Sequence, residues 1–476
     1  MVNTSKVHLI LCALLILCAC KKNPSIGAEV ENPVVDIPVI PKPPKDTTNI
    51  PGDAKIFEVG TGSGNLSIDG KTLNLTGNSV IKIKGGSYND IQISNISVQN
   101  AAVFILNDGL VELVGNRQMT LSNLKNVTVS GNGTPGISKG FVFRDKNSDG
   151  ASIQLRNDIN DFTLKYVSFS NVSTYNAIQY DSQKIYNGSE NSYSKNLKFL
   201  YIDCENTGTL MRFRGSAENG TISGLVRNIE IGYVNFKNSR SVGSVVALEN
   251  VDSYDIHNNT VQDVNQDNSN HNGIFYIQGS GKFYNNKIKN HQGNAIRAWA
   301  YSIGTSPKEI LIFNNIVINS RQYGAFELQA FDRNIMSGKT TFVNAKVFNN
   351  TCGNLLPKDA FPAQVLDLYG LKGGKCDIFN NLGYNFTLVG QNNTNFIWND
   401  MGTLPPDAFN NKYFKSSGEA GIADENQLQL YSSSPAKNSG ASLASQNFQS
   451  PVSPAINLDI YNNPRSASKP SAGAVE

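Results

Sequence analysis

Histidine, tryptophan and methionine are scarce in this chain of 476 residues, numbering four, two and five. Chemistry that needs an imidazole therefore has only His8, His257, His271 and His291 to draw on. Cysteine is sparse as well: beyond the first twenty residues only Cys204, Cys352 and Cys376 remain. An odd, scattered set excludes a disulfide framework or a zinc site built on paired spacings, and the three are expected in the core. A strong excess of either charge is missing, because 41 Lys and Arg are interleaved with 38 Asp and Glu for a net +3. That balance leaves no nucleic-acid footprint, although a local basic patch could still bind a polyanion. Almost no stretch offers helical periodicity for three turns, and beyond Leu17 no segment is apolar enough to span a membrane.

What is present begins with Lys6 ahead of the apolar run Leu9 to Leu17, too short for a mature transmembrane helix and suited to a signal peptide over residues 1–20. Its end, Leu17-Cys18-Ala19-Cys20, resembles a bacterial lipobox, which implies that Cys20 is lipidated after cleavage. Acyl chains contribute roughly 0.8 kcal/mol per buried methylene, so they would hold the protein on a membrane through its N-terminus alone. The expected location is the outer membrane, facing periplasm or cell surface. Residues 21–52 contain Pro33, Pro38, Pro41, Pro43, Pro44 and Pro51 and read as an extended linker.

From 53 to about 400 short β-branched and aromatic runs are broken by Asn, Gly and Ser, which predicts an all-β body. Stacking its segments exposes a repeat with anchors at Val129, Leu164, Phe199, Ile231, Ile256, Phe283, Ile312, Val347 and Ile378, spaced 25 to 35 residues apart. Units of this size cannot bury an apolar face alone and must stack on their neighbours. Asparagine pairs mark the later repeats: Asn258/Asn259, Asn285/Asn286, Asn314/Asn315, Asn349/Asn350 and Asn380/Asn381. They are expected to form a ladder at the ~4.8 Å strand spacing, amide to amide, with left-handed turns. The expected architecture is a right-handed parallel β-helix with a structural Asn ladder, and residues 401–476 pack on its last turns.

Over roughly Ile81 to Asn399 this pattern resembles the pectate-lyase-like superfamily of right-handed parallel β-helix proteins. Val80-Ile-Lys-Ile-Lys-Gly-Gly-Ser-Tyr88 with Val129-Ser-Gly-Asn-Gly133 resembles the opening of such proteins from Bacteroidetes-type secretomes. The tail, Ser433-Ser-Pro-Ala-Lys-Asn-Ser-Gly440 with Tyr461-Asn-Asn-Pro-Arg465 and Gly473-Ala-Val-Glu476, resembles their ending. The resemblance implies a surface-anchored polysaccharide-degrading enzyme. In lyases of this superfamily a basic residue removes the proton α to a uronate carboxylate while Ca2+ or arginine neutralises that carboxylate. The chain lacks the pectate-lyase arginine-proline signature, the Lys and Arg motif of alginate and chondroitin lyases, and the polygalacturonase aspartate set. The substrate stays open, and hydrolysis is weakened more than elimination.

Strand alternation assigns a second strand in each repeat two faces. The inward pairs are Ile178/Tyr180, Met211/Phe213, Val246/Leu248, Phe275/Ile277, Ile296/Ala298, Phe326/Leu328 and Leu366/Leu368. The outward pairs are Gln179/Asp181, Arg212/Arg214, Ala247/Glu249, Tyr276/Gln278, Arg297/Trp299, Glu327/Gln329 and Asp367/Tyr369, a row rich in arginine, carboxylate and aromatic side chains. Aromatic faces stack on sugars and arginines pair with acidic groups, so the row reads as a glycan groove. The plain alternative is a cross-strand charge ladder. His271 and His291, in loops before Tyr276 and Arg297, are candidate acid–base groups together with Arg297, Glu327 and Glu249. Arg212, Arg214, Tyr276, Trp299, Gln329, Asp367 and Tyr369 are candidate substrate contacts. Glu249, Glu327 and Asp367 are the weak candidates for a metal, Ca2+ if any. Asp145-Lys-Asn-Ser-Asp-Gly150 matches half a calcium loop but has Arg156 at its twelfth position, which favours a turn.

The leading expectation is a monomeric polysaccharide lyase acting on a uronate-containing glycan. The alternatives are a non-catalytic glycan-binding or adhesive β-helix, or a glycoside hydrolase. Arg297→Ala is expected to abolish turnover or binding while leaving the melting temperature within a few degrees, unless the charge-ladder alternative holds.

Overall fold

The computed structural model describes residues 49–218, 220–330, 338–356, 363–387, 396–399, 407–449 and 454–476. The expected signal peptide, Cys20 and all but the end of the proline-rich linker lie outside these. Among the described residues helix is confined to short 3-10 turns such as Glu190–Ser192, and none is long and apolar enough to cross a membrane.

Three parallel ladders carry the all-β body. In the first, Lys55–Val59 pairs with 79–83, and pairing passes from repeat to repeat as far as Asp407–Phe409. The nine anchor residues fall in direct register here, from Val129 opposite Leu164 to Val347 opposite Ile378. A second ladder follows the turn and ends at Lys412–Phe414. A third contains the strands read above as two-faced, from 176–181 through 209–214, 246–248, 275–277, 296–298 and 326–328 to Leu366–Tyr369. Pairing thus continues past residue 400, where the repeat was expected to stop. The inward side chains of the third ladder, such as Met211, Phe275 and Phe326, are all buried, as are the three free cysteines.

The asparagine pairs divide their work. The first of each pair takes a left-handed φ of 52° to 56° and turns the chain. The second is buried, and its Nδ2 donates to Oδ1 of the next across Asn259, Asn286, Asn315, Asn350, Asn381 and Asn411 at 2.9 to 3.1 Å. In earlier repeats Tyr166, Tyr201 and Tyr233 hold the left-handed position instead. Their rings open an aromatic stack that passes through His257 and Tyr284 to Phe313, Phe348, Phe379 and Phe409, with centroids 4.8 to 5.6 Å apart. This stack was not foreseen. The C-terminal segment packs on its later rings through Leu443 and Ile456 and on Ile316, Ile318, Leu382 and Tyr384 through Ile460 and Tyr461.

Candidate functional site

On the third ladder the outward residues Gln179, Arg212, Ala247, Tyr276, Arg297, Glu327 and Asp367 stand opposite one another in consecutive strands. Gln278, Trp299, Gln329 and Tyr369 form a parallel row beside them. Loops flank both rows. On one side Tyr186, Tyr193, Ile222, Leu225, Tyr301 and Ile303 pack together, with Trp299 against them. On the other, the segments around His271 and Tyr323 meet, their rings stacked 4.2 Å apart and 9° from parallel.

These loops change the reading of the face, because outward does not mean exposed. Glu327 has no exposed surface and Asp367 only 3%, so neither lines an open groove. Glu327 Oε1 accepts a hydrogen bond from Arg297 Nε at 2.7 Å, and Arg297 Nη1 donates to the His271 carbonyl at 2.8 Å. His271 Nε2 lies 2.9 Å from Glu327 Oε2 and 3.1 Å from Asn294 Oδ1. The aligned hydrogen bond goes to Asn294, so the contact with Glu327 is electrostatic and Oε2 keeps no aligned donor. With two acceptors facing it, Nε2 carries the ring proton and Nδ1 is the basic nitrogen. Asn294 Nδ2 donates to the Gly324 carbonyl at 3.1 Å and reaches Asp367 Oδ2 at 3.3 Å. A Cβ on Gly324 would lie 2.9 Å from that same oxygen, so glycine leaves the carboxyl its space. Burial, reinforced by the neighbouring Glu327 charge, pushes the Asp367 carboxyl well above its ordinary range and favours its neutral form. His271 remains 17% exposed and Arg297 24%, so the cluster opens outward through these two side chains.

Other candidates fall elsewhere. His291 does not reach the rim: it ends the strand Lys287–His291 on the second ladder and is 2% exposed. Its Nδ1 lies 3.0 Å from the Gly293 carbonyl, and burial pushes its pKa down to about 4. The arginines are not open clamps: Arg212 Nη2 lies 3.5 Å from Glu249, and Arg214 Nε lies 3.6 Å from Asp181. Glu249 also accepts from the Gly215 amide at 2.9 Å. It stands three strand steps from the Glu327 row, about 14 Å at the usual spacing, so Glu249, Glu327 and Asp367 do not converge on one ion. Among the described residues no three His, Cys, Asp or Glu groups are placed to hold a metal. At the half calcium loop, Asp145 pairs with Arg144 at 2.9 Å and accepts from Asn171 at 3.1 Å with φ of 58°, the geometry of a turn.

Asn294 and Tyr323 were missed by sequence reading. Asn294 closes the segment Asn290-His-Gln-Gly-Asn294, in which the histidine carries the more distinctive chemistry. Tyr323 holds φ at 74°, a strained angle for an aromatic residue. Beside the His271 loop lies a hollow of about 520 Å3 whose walls include Asn206, Thr209, Ser241, Asn270 and Asn272, rich in amides and hydroxyls.

No protein-family model matches the chain, and no curated protein matches it. Among solved structures the chain is similar to the PL6 family polysaccharide lyase Pedsa3628 from Pseudopedobacter saltans, at 12% identity over 74% of this chain and 92% of that one, with a TM-score of 0.42. It is also similar to pectate lyase Pel9A, at 11% identity over 89% and 97% with a TM-score of 0.37. A third is alginate lyase AlyF-OU02 in complex with G6, at 12% identity over 90% and 98% with a TM-score of 0.34. Likeness at this level assigns no chemistry, which rests on the residues above.

Proposed function

We propose that this protein is a polysaccharide lyase that cleaves an acidic glycan by β-elimination, with the three ladders forming the faces of one right-handed β-helix. The observation that carries the reading is the fully buried Glu327 carboxylate held between Arg297 and the imidazole of the partly exposed His271. Glu327 and Asn294 fix the ring in one tautomer and orient it, which is what a general base requires. His271 Nδ1 removes the proton α to the uronate carboxylate, whose charge faces Arg297. The electron pair forms the new C=C bond as the 4-linked oxygen departs. That oxygen takes a proton from Tyr276, whose hydroxyl accepts from Gln278 at 2.8 Å and which stands directly opposite Arg297. The amide-rich hollow beside His271 suits the hydroxyls of adjoining sugars.

Hydrolysis is the weaker reading, since it needs two carboxyl groups facing the scissile bond across open space, and Glu327 and Asp367 are adjacent and buried. A glycan binder without turnover is favoured by one observation, that all three arginines of the row are already paired with carboxylates. Incubation with a panel of uronate-containing polysaccharides separates these. Ultraviolet absorbance of an unsaturated product supports the lyase, reducing ends without it support the hydrolase, and retained affinity with neither supports the binder. His271→Ala should lower turnover by at least about 100-fold and leave glycan affinity within a few-fold; unchanged turnover would remove His271 from the chemistry.

The lipid anchor belongs to the same proposal. Intact mass of the membrane-extracted protein should show an acylated Cys20 at the mature N-terminus, and Cys20→Ser should release the protein from membranes.

A further inference from the structure

A cleft of about 590 Å3 lies on the outward side of the first ladder, lined by residues outside the His271 cluster. That volume falls within the range of small-molecule sites, about 300 to 1,000 Å3. One row of side chains crosses it: Lys198, Glu230, Asp255 and Lys282 stand directly opposite one another in successive strands. A simple charge ladder would pair them in turn. Lys198 does join Glu230 at 2.7 Å, and further along Lys346 joins Asp377. Between Asp255 and Lys282 the row breaks. The Lys282 ammonium has no ion-pair or hydrogen-bond partner among the described residues, and Asp255 Oδ1 is buried without one. Ser280, 1% exposed and also lining the cleft, has a buried Oγ with no partner. Buried polar atoms left unpaired are costly, and groups that a neighbour in register fails to satisfy are those a ligand can satisfy.

Just before this unpaired step the backbone leaves register between Leu248 and Val251 and again between Asp252 and Tyr254. Opposite it Gly279 takes φ of +136°, and a Cβ there would lie 1.8 Å from the Val251 carbonyl oxygen. The irregularity therefore cannot be filled by a side chain at 279.

The unsatisfied groups define the ligand. On the outward face they are one ammonium, one carboxylate oxygen and the Ser280 hydroxyl, over walls that also include Ile229 and Leu311; the Tyr254 hydroxyl, also buried without a partner, belongs to a side chain of the core. A multiply charged phosphate finds no cluster of open cations, because Lys198 and Lys308 are bound to Glu230 and Asp252. An apolar ligand would leave all three groups unpaired. A ring with several hydroxyls and at most one negative charge satisfies them, since a hydroxyl both donates and accepts.

We propose that this cleft is a second saccharide-binding site that takes one sugar unit of an acidic glycan, bridging Asp255 and Lys282 through its hydroxyls and carboxylate. The glycan's acidity rests on the proposed function; the site itself is separate from the His271 cluster. The test uses the full chain with methyl-labelled Ile and Leu, titrated with D-galacturonate and with methyl β-D-galactopyranoside. The Ile229 and Leu311 methyl resonances should shift saturably with both sugars. Lys282→Gln should weaken galacturonate at least fivefold and spare the neutral sugar, whereas Asp255→Asn should weaken both, and turnover of the polymer should be unchanged in either. Unmoved Ile229 and Leu311 resonances in the wild-type protein, or shifts indifferent to both substitutions, would overturn the site. Polymer cleavage without these shifts sinks this site alone; shifts without cleavage sink the lyase reading alone.

Discussion

Glu327 is the side chain on which the candidate site turns, since it is fully buried and its charge is balanced by Arg297 and faced by His271. Removing one partner of a buried pair costs about 3 to 5 kcal/mol. Arg297→Ala should therefore destabilise the protein by that order in urea unfolding, and Arg297→Ala with Glu327→Gln should recover part of the loss. The sequence-based expectation of a melting temperature within a few degrees assumed an Arg297 free in a groove; a small loss on measurement would restore that picture. His291 gives a second residue-scale outcome. Its pKa falls from an ordinary 6.5 to about 4 in the fold, so the folded state favours the neutral ring. Its stabilising preference is complete above pH 6.5 and is lost as pH falls toward 4. Between pH 7 and 4.5 the wild type should lose roughly 2 to 3 kcal/mol relative to His291→Gln, read from unfolding midpoints at both pH values. Asp367 has the opposite sign: its raised pKa lets stability decline as pH rises above the ordinary Asp value.

At the scale of elements, the Asn ladder separates buried from exposed copies of the same chemistry. Asn315 Oδ1 accepts from the backbone and side chain of Asn286, while its Nδ2 donates to Phe283 and Asn350. Asn319 makes a similar amide chain with Asn290 and Asn354 on the exposed surface. Asn315→Ala should cost about 3 kcal/mol or more by orphaning buried groups, and Asn319→Ala less than about 1 kcal/mol; equal losses would refute the distinction. Much of this level was legible in the chain, because apolar spacing of 25 to 35 residues fixed which residues lie opposite one another. Val129 to Ile378 and Arg212 to Asp367 share two such rows. Burial was not legible. Alternation gives the direction of a side chain but not what arrives over it, and the loops around His271 and Tyr323 reach Glu327 and Asp367 through contacts between distant segments. The misplacement of His291 has the same source, since loop and strand end read alike where Asn-His-Gln-Gly interrupts the apolar pattern.

For the whole molecule, the C-terminal segment is part of the body it follows. Leu443 and Ile456 lie on Phe313, Phe348 and Phe379, Arg465 donates to Asn314 at 2.9 Å, and the Ala474 amide donates to Thr351 at 2.8 Å. Uncovering those phenylalanines forfeits burial of about 1.5 to 3 kcal/mol each, so a chain ending at residue 415 should melt lower and bind a hydrophobic dye that the full chain does not. A truncated protein with unchanged melting would show the segment to be dispensable. The register also governs what changes of length can do. Because Phe283 and Ile312 are interchangeable partners in the same ladder, excising 283–311 would close the stack cleanly with one storey fewer. Tyr276 would then face Glu327 where Arg297 had stood. In such a body an in-frame loss of one storey rewrites the site as surely as a substitution does, while every remaining residue keeps its place in the stack.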